Sequence, residues 1–313
     1  MVTVMFDTVR FYSPQIDEVT ARNIYQGLDG FSESGDKVLF AGFCGSMRVV
    51  VFNNRALSLQ GSLSKYYFNS NIYTPNQNNV QEAIESLSGR LGLDFGDVSV
   101  TRLDVASVIV TEHIPRLYYS SMVEKPYFER LQLSENSLLY KTQRRDLSFY
   151  DKGSQLIKDG QPIPPEYEGK NLLRYGMRLR KRPVEQLGLQ RLTGKDLYSK
   201  EVYQRAVRMW LTEFESISKS NKLTMITQDT KHTVKSVRDL FLARAVQSSN
   251  RQEDIMRFID ELKEQNVFSD RKNYTRLKKE LCSYFALSTG EGAGYIEELE
   301  TKIKNTAKEQ CNF

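Results

Sequence analysis

The 313-residue chain has only three cysteines, two histidines and eight prolines, and each shortage excludes a class of structure or chemistry. Cys44, Cys282 and Cys311 are odd in number and far apart, with no C-x-x-C pair, so neither a disulfide framework nor a redox dithiol is available. That usage fits a reducing cytoplasm. Two isolated histidines, His113 and His232, supply no zinc site of the Cys/His kind and no paired-histidine metal cradle. Few prolines and 18 glycines leave no room for a long fibrous or disordered region. Apolar runs such as Val105–Val110 fall far short of the roughly 20 residues a membrane span needs. The N-terminus carries Asp7 and lacks the basic start and apolar stretch of a signal peptide. No G-x-x-x-x-G-K-[ST] phosphate loop occurs. A cytoplasmic protein with no membrane partner is expected.

What remains is an ordinary globular composition, 40% hydrophobic and 27% charged, with a net charge of +5. Such mild basicity is common among proteins with no polyanionic partner, so the placement of the charges carries more than their total.

The pattern divides near residue 195. Before it, Val2–Phe11, Arg48–Leu59, Ser99–Val110, Leu138–Tyr140 and Leu147–Tyr150 are short runs rich in β-branched and aromatic residues, separated by turn chemistry at Gly30–Gly35, Asn53-Asn54 and Thr142–Asp146. Val80–Leu93 interrupts them with Ala83, Ile84, Leu87 and Leu91 at helical spacing and Gly92 near the stop. After it, Val202–Ile217, Val234–Val246, Gln252–Gln265 and Asn273–Phe285 each carry an apolar helical stripe. The expected fold is α+β, with a largely antiparallel central sheet, inserted helices and a helical C-terminal region. Two domains are expected, residues 1–194 and 195–313.

Three stretches concentrate chemistry. In Thr101–Ala106, Arg102 and Asp104 share a strand face; a buried carboxylate there needs a partner, either the arginine or a bound cation. The second stretch reads as two strands joined by a basic tip with Lys141, Arg144 and Arg145, and it carries Tyr140 on one arm and Tyr150 on the other. A tyrosine hydroxyl attacks a phosphodiester when nearby cations stabilise the developing charge. Lys152, two residues past Tyr150, points the same way if the strand continues, and would supply charge or protonate a leaving oxygen. The third stretch places Arg174, Arg178, Arg180 and Arg182 at alternating positions, a row suited to phosphates.

In sequence and order these stretches resemble the gene II/X replication initiators of filamentous phages, and more distantly the plasmid Rep_trans initiators. The resemblance covers most of Val2–Leu189, including Ala56–Tyr73, the Arg102-Leu103-Asp104 strand, Phe149-Tyr150-Asp151-Lys152 and the Arg174-Tyr175 strand. It implies a site-specific DNA endonuclease and ligase for rolling-circle replication. Such an enzyme nicks one strand of a double-stranded replicative form at the origin, keeps the 5′ end as a phosphotyrosine and later rejoins the displaced single strand. It also implies Mg²⁺ or Mn²⁺ as cofactor, origin DNA as partner, host helicase and polymerase as further partners, and a bacterial host cell.

Carried over residue by residue, the resemblance makes Tyr150 the nucleophile by similarity to the phage proteins and Tyr140 by similarity to the plasmid ones, with Tyr150 ahead. Asp104 becomes a metal ligand, and Arg174 and Arg178 the basic positions, with Arg102, Arg144, Arg145, Arg180 and Arg182 as further DNA contacts. Gly176 stands where the family usually has glutamate. That departure supports an alternative, a non-catalytic origin-binding protein on the same fold. The basic helix start Arg271–Lys279 is a candidate origin reader.

Overall fold

The computed structural model describes residues 5–32, 36–119, 121–219, 252–265, 267–268, 270–287 and 293–311. The chain forms two compact units. The first comprises Met1–Tyr119, Glu124–Ser218 and Thr301–Phe313; the second, Ser120–Val123 and Lys219–Glu300.

The first unit is built on one ten-stranded sheet, and the fold is α+β as expected. Its strands are β1 (Met5–Ser13), β2 (Gly30–Ser32), β3 (Val38–Cys44), β4 (Met47–Phe52), β5 (Leu57–Ser62), β6 (Ser99–Thr111), β7 (Glu129–Ser134), β8 (Ser137–Lys141), β9 (Arg145–Asp151) and β10 (Asn171–Leu179). Every neighbouring pair is antiparallel, in the order β2-β3-β4-β5-β1-β6-β10-β9-β8-β7. That order is one motif used twice. In each half a first strand (β1 or β6) is followed by a four-strand meander whose last member (β5 or β10) returns to pair with it. The two halves join along the β1–β6 seam.

Four helices matter to the site: α1 (Glu18–Gln26), α2 (Gln77–Leu91), the short α3 (Lys152–Lys158) and α4 (Lys200–Glu215). Helices α1, α2 and α4 bury apolar faces. Helix α2 starts at an Asn76/Asn79 capping box and stops at Gly92, whose φ of +64° suits a residue without a Cβ. The apolar stripe of α4 comes from 3.6-residue spacing of Val202, Ala206, Val207, Trp210 and Phe214, all buried. Against it lies an aromatic stack: Phe149 and Tyr175 are parallel at 4.5 Å, and Tyr175 meets Trp210 at 4.6 Å. The Tyr175 hydroxyl donates to the Trp210 carbonyl at 2.9 Å, so this buried phenol has a partner. Helix α4, at the head of the expected C-terminal region, thus packs on the sheet.

The run Arg48–Leu59 is a hairpin of β4 and β5 that turns at the expected Asn53-Asn54. Its turn holds Arg55 at φ +63°, and the Phe52 amide donates to the Ala56 carbonyl at 2.9 Å. Strands β2, β3 and β7 and helix α1 were not anticipated.

In the second unit, helices Gln252–Glu264 and Arg271–Leu287 enclose a small core of Ile259 and Tyr274, joined by Leu262, Phe268, Leu277 and Leu281. The Tyr274 hydroxyl donates to the Leu262 carbonyl at 3.1 Å and accepts from the Phe268 amide at 2.8 Å, fixing the turn between the helices. Arg271, Lys272, Arg276 and Lys279 are exposed. The helix expected at Val234–Val246 lies outside the described residues. A last helix, Ala293–Cys311, was not expected; its Thr301–Cys311 part belongs to the first unit.

Candidate functional site

Strand alternation divides the basic and tyrosine residues between the two faces of the sheet. On β9 and β10, Leu147, Phe149, Tyr175 and Met177 face the aromatic core. Asp146, Ser148, Tyr150, Arg174, Gly176 and Arg178 face the other way, with Tyr150 opposite Arg174, Ser148 opposite Gly176 and Asp146 opposite Arg178. On β6, Asp104 lies beside Arg178 and Ala106 beside Gly176.

Tyr140 pairs with Leu147 and so sits on the core side, 0% exposed and edge-on to Phe149. Burial pushes its phenol up to about 12, against the opposing charge of Arg130. The two tyrosines therefore stand on opposite faces and do not line one cleft. Tyr150 is half-buried on the polar face. Desolvation raises its pKa, while the Arg174 and Arg178 charges pull it down.

The carboxylate near Tyr150 is Asp7. A β-bulge between Phe6 and Val9 inserts one residue opposite β6, so Phe6 and Val9 both enter the core and Asp7 is turned onto the polar face. Its Oδ2 lies 2.6 Å from Arg174 Nη2, and Ser62 Oγ donates to its Oδ1 at 2.8 Å. Arg174 is 2% exposed, so it props the site from within instead of following a nucleic-acid backbone. Its Nη1 donates to the Asn71 carbonyl at 2.5 Å, while Nη2 is ion-paired but makes no aligned hydrogen bond among the described residues.

Lys152 does not continue the strand. β9 ends at Asp151, whose carboxylate accepts from the Ser154 amide and caps α3. The fully buried Lys152 ammonium donates to Asn71 Oδ1 at 2.7 Å and Gln155 Oε1 at 2.8 Å. Desolvation first, and then the Arg174 charge, pull its pKa down to about 7. Asn71 thus joins Lys152 to Arg174. Its loop is fixed by Ser64 Oγ, which donates to the Ser70 and Tyr73 carbonyls at 2.9 and 2.6 Å. Beyond Tyr150 the face closes over: Val108 and Leu172 pack with Ile72 and with Leu156 of α3.

At the other end the face is open and basic. Asp104 lies four residues along the sheet from the Tyr150 level, about 13 Å at the usual strand rise. Both its oxygens accept from Arg102, at 2.9 and 2.7 Å, and Arg178 adds a third bond at 3.1 Å. Asp146 faces Arg180 at 3.3 Å and Arg178 at 3.9 Å. A cleft of about 870 Å³ opens here, lined by six basic side chains (Arg10, Arg102, Lys141, Arg178, Arg180, Lys181) and one acidic, Glu129. The row of arginines ends sooner than alternation implies, because β10 stops at Leu179. Arg182 is an exposed left-handed residue paired with Glu185 at 3.0 Å, and Arg144 pairs with the same glutamate at 2.6 Å. Arg145 lies away from the cleft, on the Leu179 side, ion-paired with Glu213.

A divalent ion needs carboxylate oxygens free to coordinate. Among the described residues, Asp7, Asp104 and Asp146 on this face are each ion-paired with arginine, Gly176 brings no carboxylate, and Glu129 at the edge strand is a single exposed acid. As arranged, these residues do not fit a bound Mg²⁺ or Mn²⁺. The arrangement suits an anion: Arg174 and Arg178 flank Ala106, Ser148 and Gly176 on the same face of the sheet. Sequence reasoning missed Asp7, Ser62 and Asn71 as members of this cluster.

Compared with known families, residues 44–200, half of the chain, match the family described as the N-terminal part of a replication-associated protein, the phage gene II product. No curated protein matches the chain. No helix among the described residues is long and apolar enough to cross a membrane.

Proposed function

Since the chain belongs to the family of filamentous-phage gene II replication initiators, we propose that it nicks one strand of its origin DNA with Tyr150 as nucleophile and later reseals it. The observation that carries this reading is the position of Tyr150 opposite Arg174, on the sheet face that also carries Arg178 of the basic cleft. A single strand lying along Arg10, Arg102, Arg178 and Arg180 would bring a phosphate to the phenol. The phenol gives up its proton to solvent as its oxygen bonds to phosphorus, the bond to the 3′-oxygen breaks, and the leaving oxygen takes up a proton, so the step consumes none overall. Arg178 would offset the charge that builds on the phosphoryl oxygens. Lys152, poised near pH 7, is suited to donate that proton and take it back on resealing. Mg²⁺ or Mn²⁺ is implied only by the family, and no step here runs through an ion.

The test is incubation of supercoiled replicative-form DNA carrying the element's own origin with the protein. Nicked circles with protein on the 5′ end are expected, absent in Tyr150→Phe and present in Tyr140→Phe. An adduct that survives Tyr150→Phe would eliminate the assignment. Intact DNA held tightly by the wild type would favour the second reading, an origin binder that does not cut, which Gly176 and the arginine-paired carboxylates support.

A further inference from the structure

Tyr127 is the most exposed aromatic residue described, 99% accessible, and it lines the basic cleft. It also holds an unfavourable backbone conformation, with φ at +67°. The Phe128 amide donates to the Lys125 carbonyl at 3.1 Å, closing a four-residue turn with Pro126 and Tyr127 at its centre. Proline before a positive φ defines a type II turn, whose third position normally belongs to glycine. A bulky side chain there is strained, and it persists only where the surroundings hold it.

Here they do. The Lys125 ammonium is buried, 3.0 Å from Glu213 Oε2 and 3.1 Å from the Glu213 carbonyl, bonded to Ser216 Oγ, and 4.8 Å over the Phe128 ring. The turn is therefore anchored while the ring it carries stands in solvent. Nothing in the packing explains a tyrosine at this position. A nucleobase does: single-stranded DNA binders place aromatic rings beside a basic backbone track so that bases stack on them.

We infer that Tyr127 is a stacking platform for a base of single-stranded DNA whose phosphates lie along Arg102, Arg178 and Arg180. The inference rests on the DNA-binding reading above and adds a contact that recognises a base instead of a phosphate. Stacking is uncharged, so its loss should weaken binding without altering salt dependence, unlike loss of an arginine.

The experiment measures binding of a single-stranded oligonucleotide, and of polyphosphate as a base-free polyanion, to wild type, Tyr127→Gly and Tyr127→Trp. Tyr127→Gly relieves the strained φ, so it should melt higher than wild type, which removes misfolding as a cause of any loss. It should bind the oligonucleotide roughly tenfold more weakly or worse, with an unchanged slope of log affinity against log salt and unchanged polyphosphate binding. Tyr127→Trp should retain oligonucleotide binding, with its added fluorescence quenched by the bound strand. Wild-type affinity for the oligonucleotide in Tyr127→Gly, or an equal loss on polyphosphate, overturns the inference while leaving the strand-binding reading intact. Failure of the wild type to bind the oligonucleotide overturns both.

Discussion

Replacing Lys152 by methionine tests the polar cluster through its proton. The Lys152 ammonium is fully buried, and its pKa is pulled down to about 7. In the unfolded chain a lysine titrates near ~10.4. Below pH 7 the amine is protonated in both states, and folding carries the whole cost of burying the charge. Above pH 7 the folded protein releases the proton while the unfolded chain keeps it, so stability rises with pH until about 10.4, by roughly 1.4 kcal/mol per unit. Between pH 7 and 9 wild type should therefore gain about 2–3 kcal/mol over Lys152→Met. The charges that face the amine, on Arg174, Asp7, Lys65 and Asp159, are common to both proteins and drop out of the difference. Methionine leaves Asn71 Oδ1 without its donor, a loss of about 1–3 kcal/mol that does not vary with pH. The slope is thus the readout, not the absolute stability. Urea unfolding at pH 6, 7, 8 and 9 follows it, with the single tryptophan, the fully buried Trp210, as the fluorescent reporter. Parallel stability curves for the two proteins would show that Lys152 stays charged in the fold and would remove its role as a proton donor poised near neutrality.

Two further outcomes follow from the same geometry. Arg178→Ala should flatten the slope of log affinity for duplex origin DNA against log salt by roughly 0.9; a filter-binding titration at several salt concentrations reads it, and an unchanged slope means Arg178 meets no phosphate. Trp210→Ala removes the ring against Tyr175 and should destabilise the first unit by about 3–5 kcal/mol in denaturant titration; a loss under about 1 kcal/mol would mean the α4–sheet packing contributes little.

Features that depend on near neighbours were legible in the sequence. The α2 pattern with its Gly92 stop, the β6, β8 and β9 runs, and the Arg102–Asp104 pair are all set within a few residues, and all appear in the fold. Strands β2 and β7 are short, and β7 shows no alternation because it is mostly exposed at the sheet edge, so period-two patterning gave no signal. The site was harder. The faces of Tyr140 and Tyr150 follow from register across β8, β9 and β10, which no local pattern states. Asp7 reaches Arg174 only because a bulge in β1 inserts a residue. Lys152 turned away from the strand at a signal that was present, an Asp151 that caps the following helix. The halves of the sheet repeat one topology without a recurring sequence, since a meander needs only alternation and turns.

The seam between those halves has a bearing on biosynthesis. Asp7 lies in the first strand of the sheet, yet its guanidinium partner lies in the tenth, the last of the sheet to be made. A nascent chain cannot complete the polar cluster until both halves have emerged and closed on each other, and a product terminated before Arg174 never does. Translation itself thus keeps unfinished copies from presenting the assembled pocket.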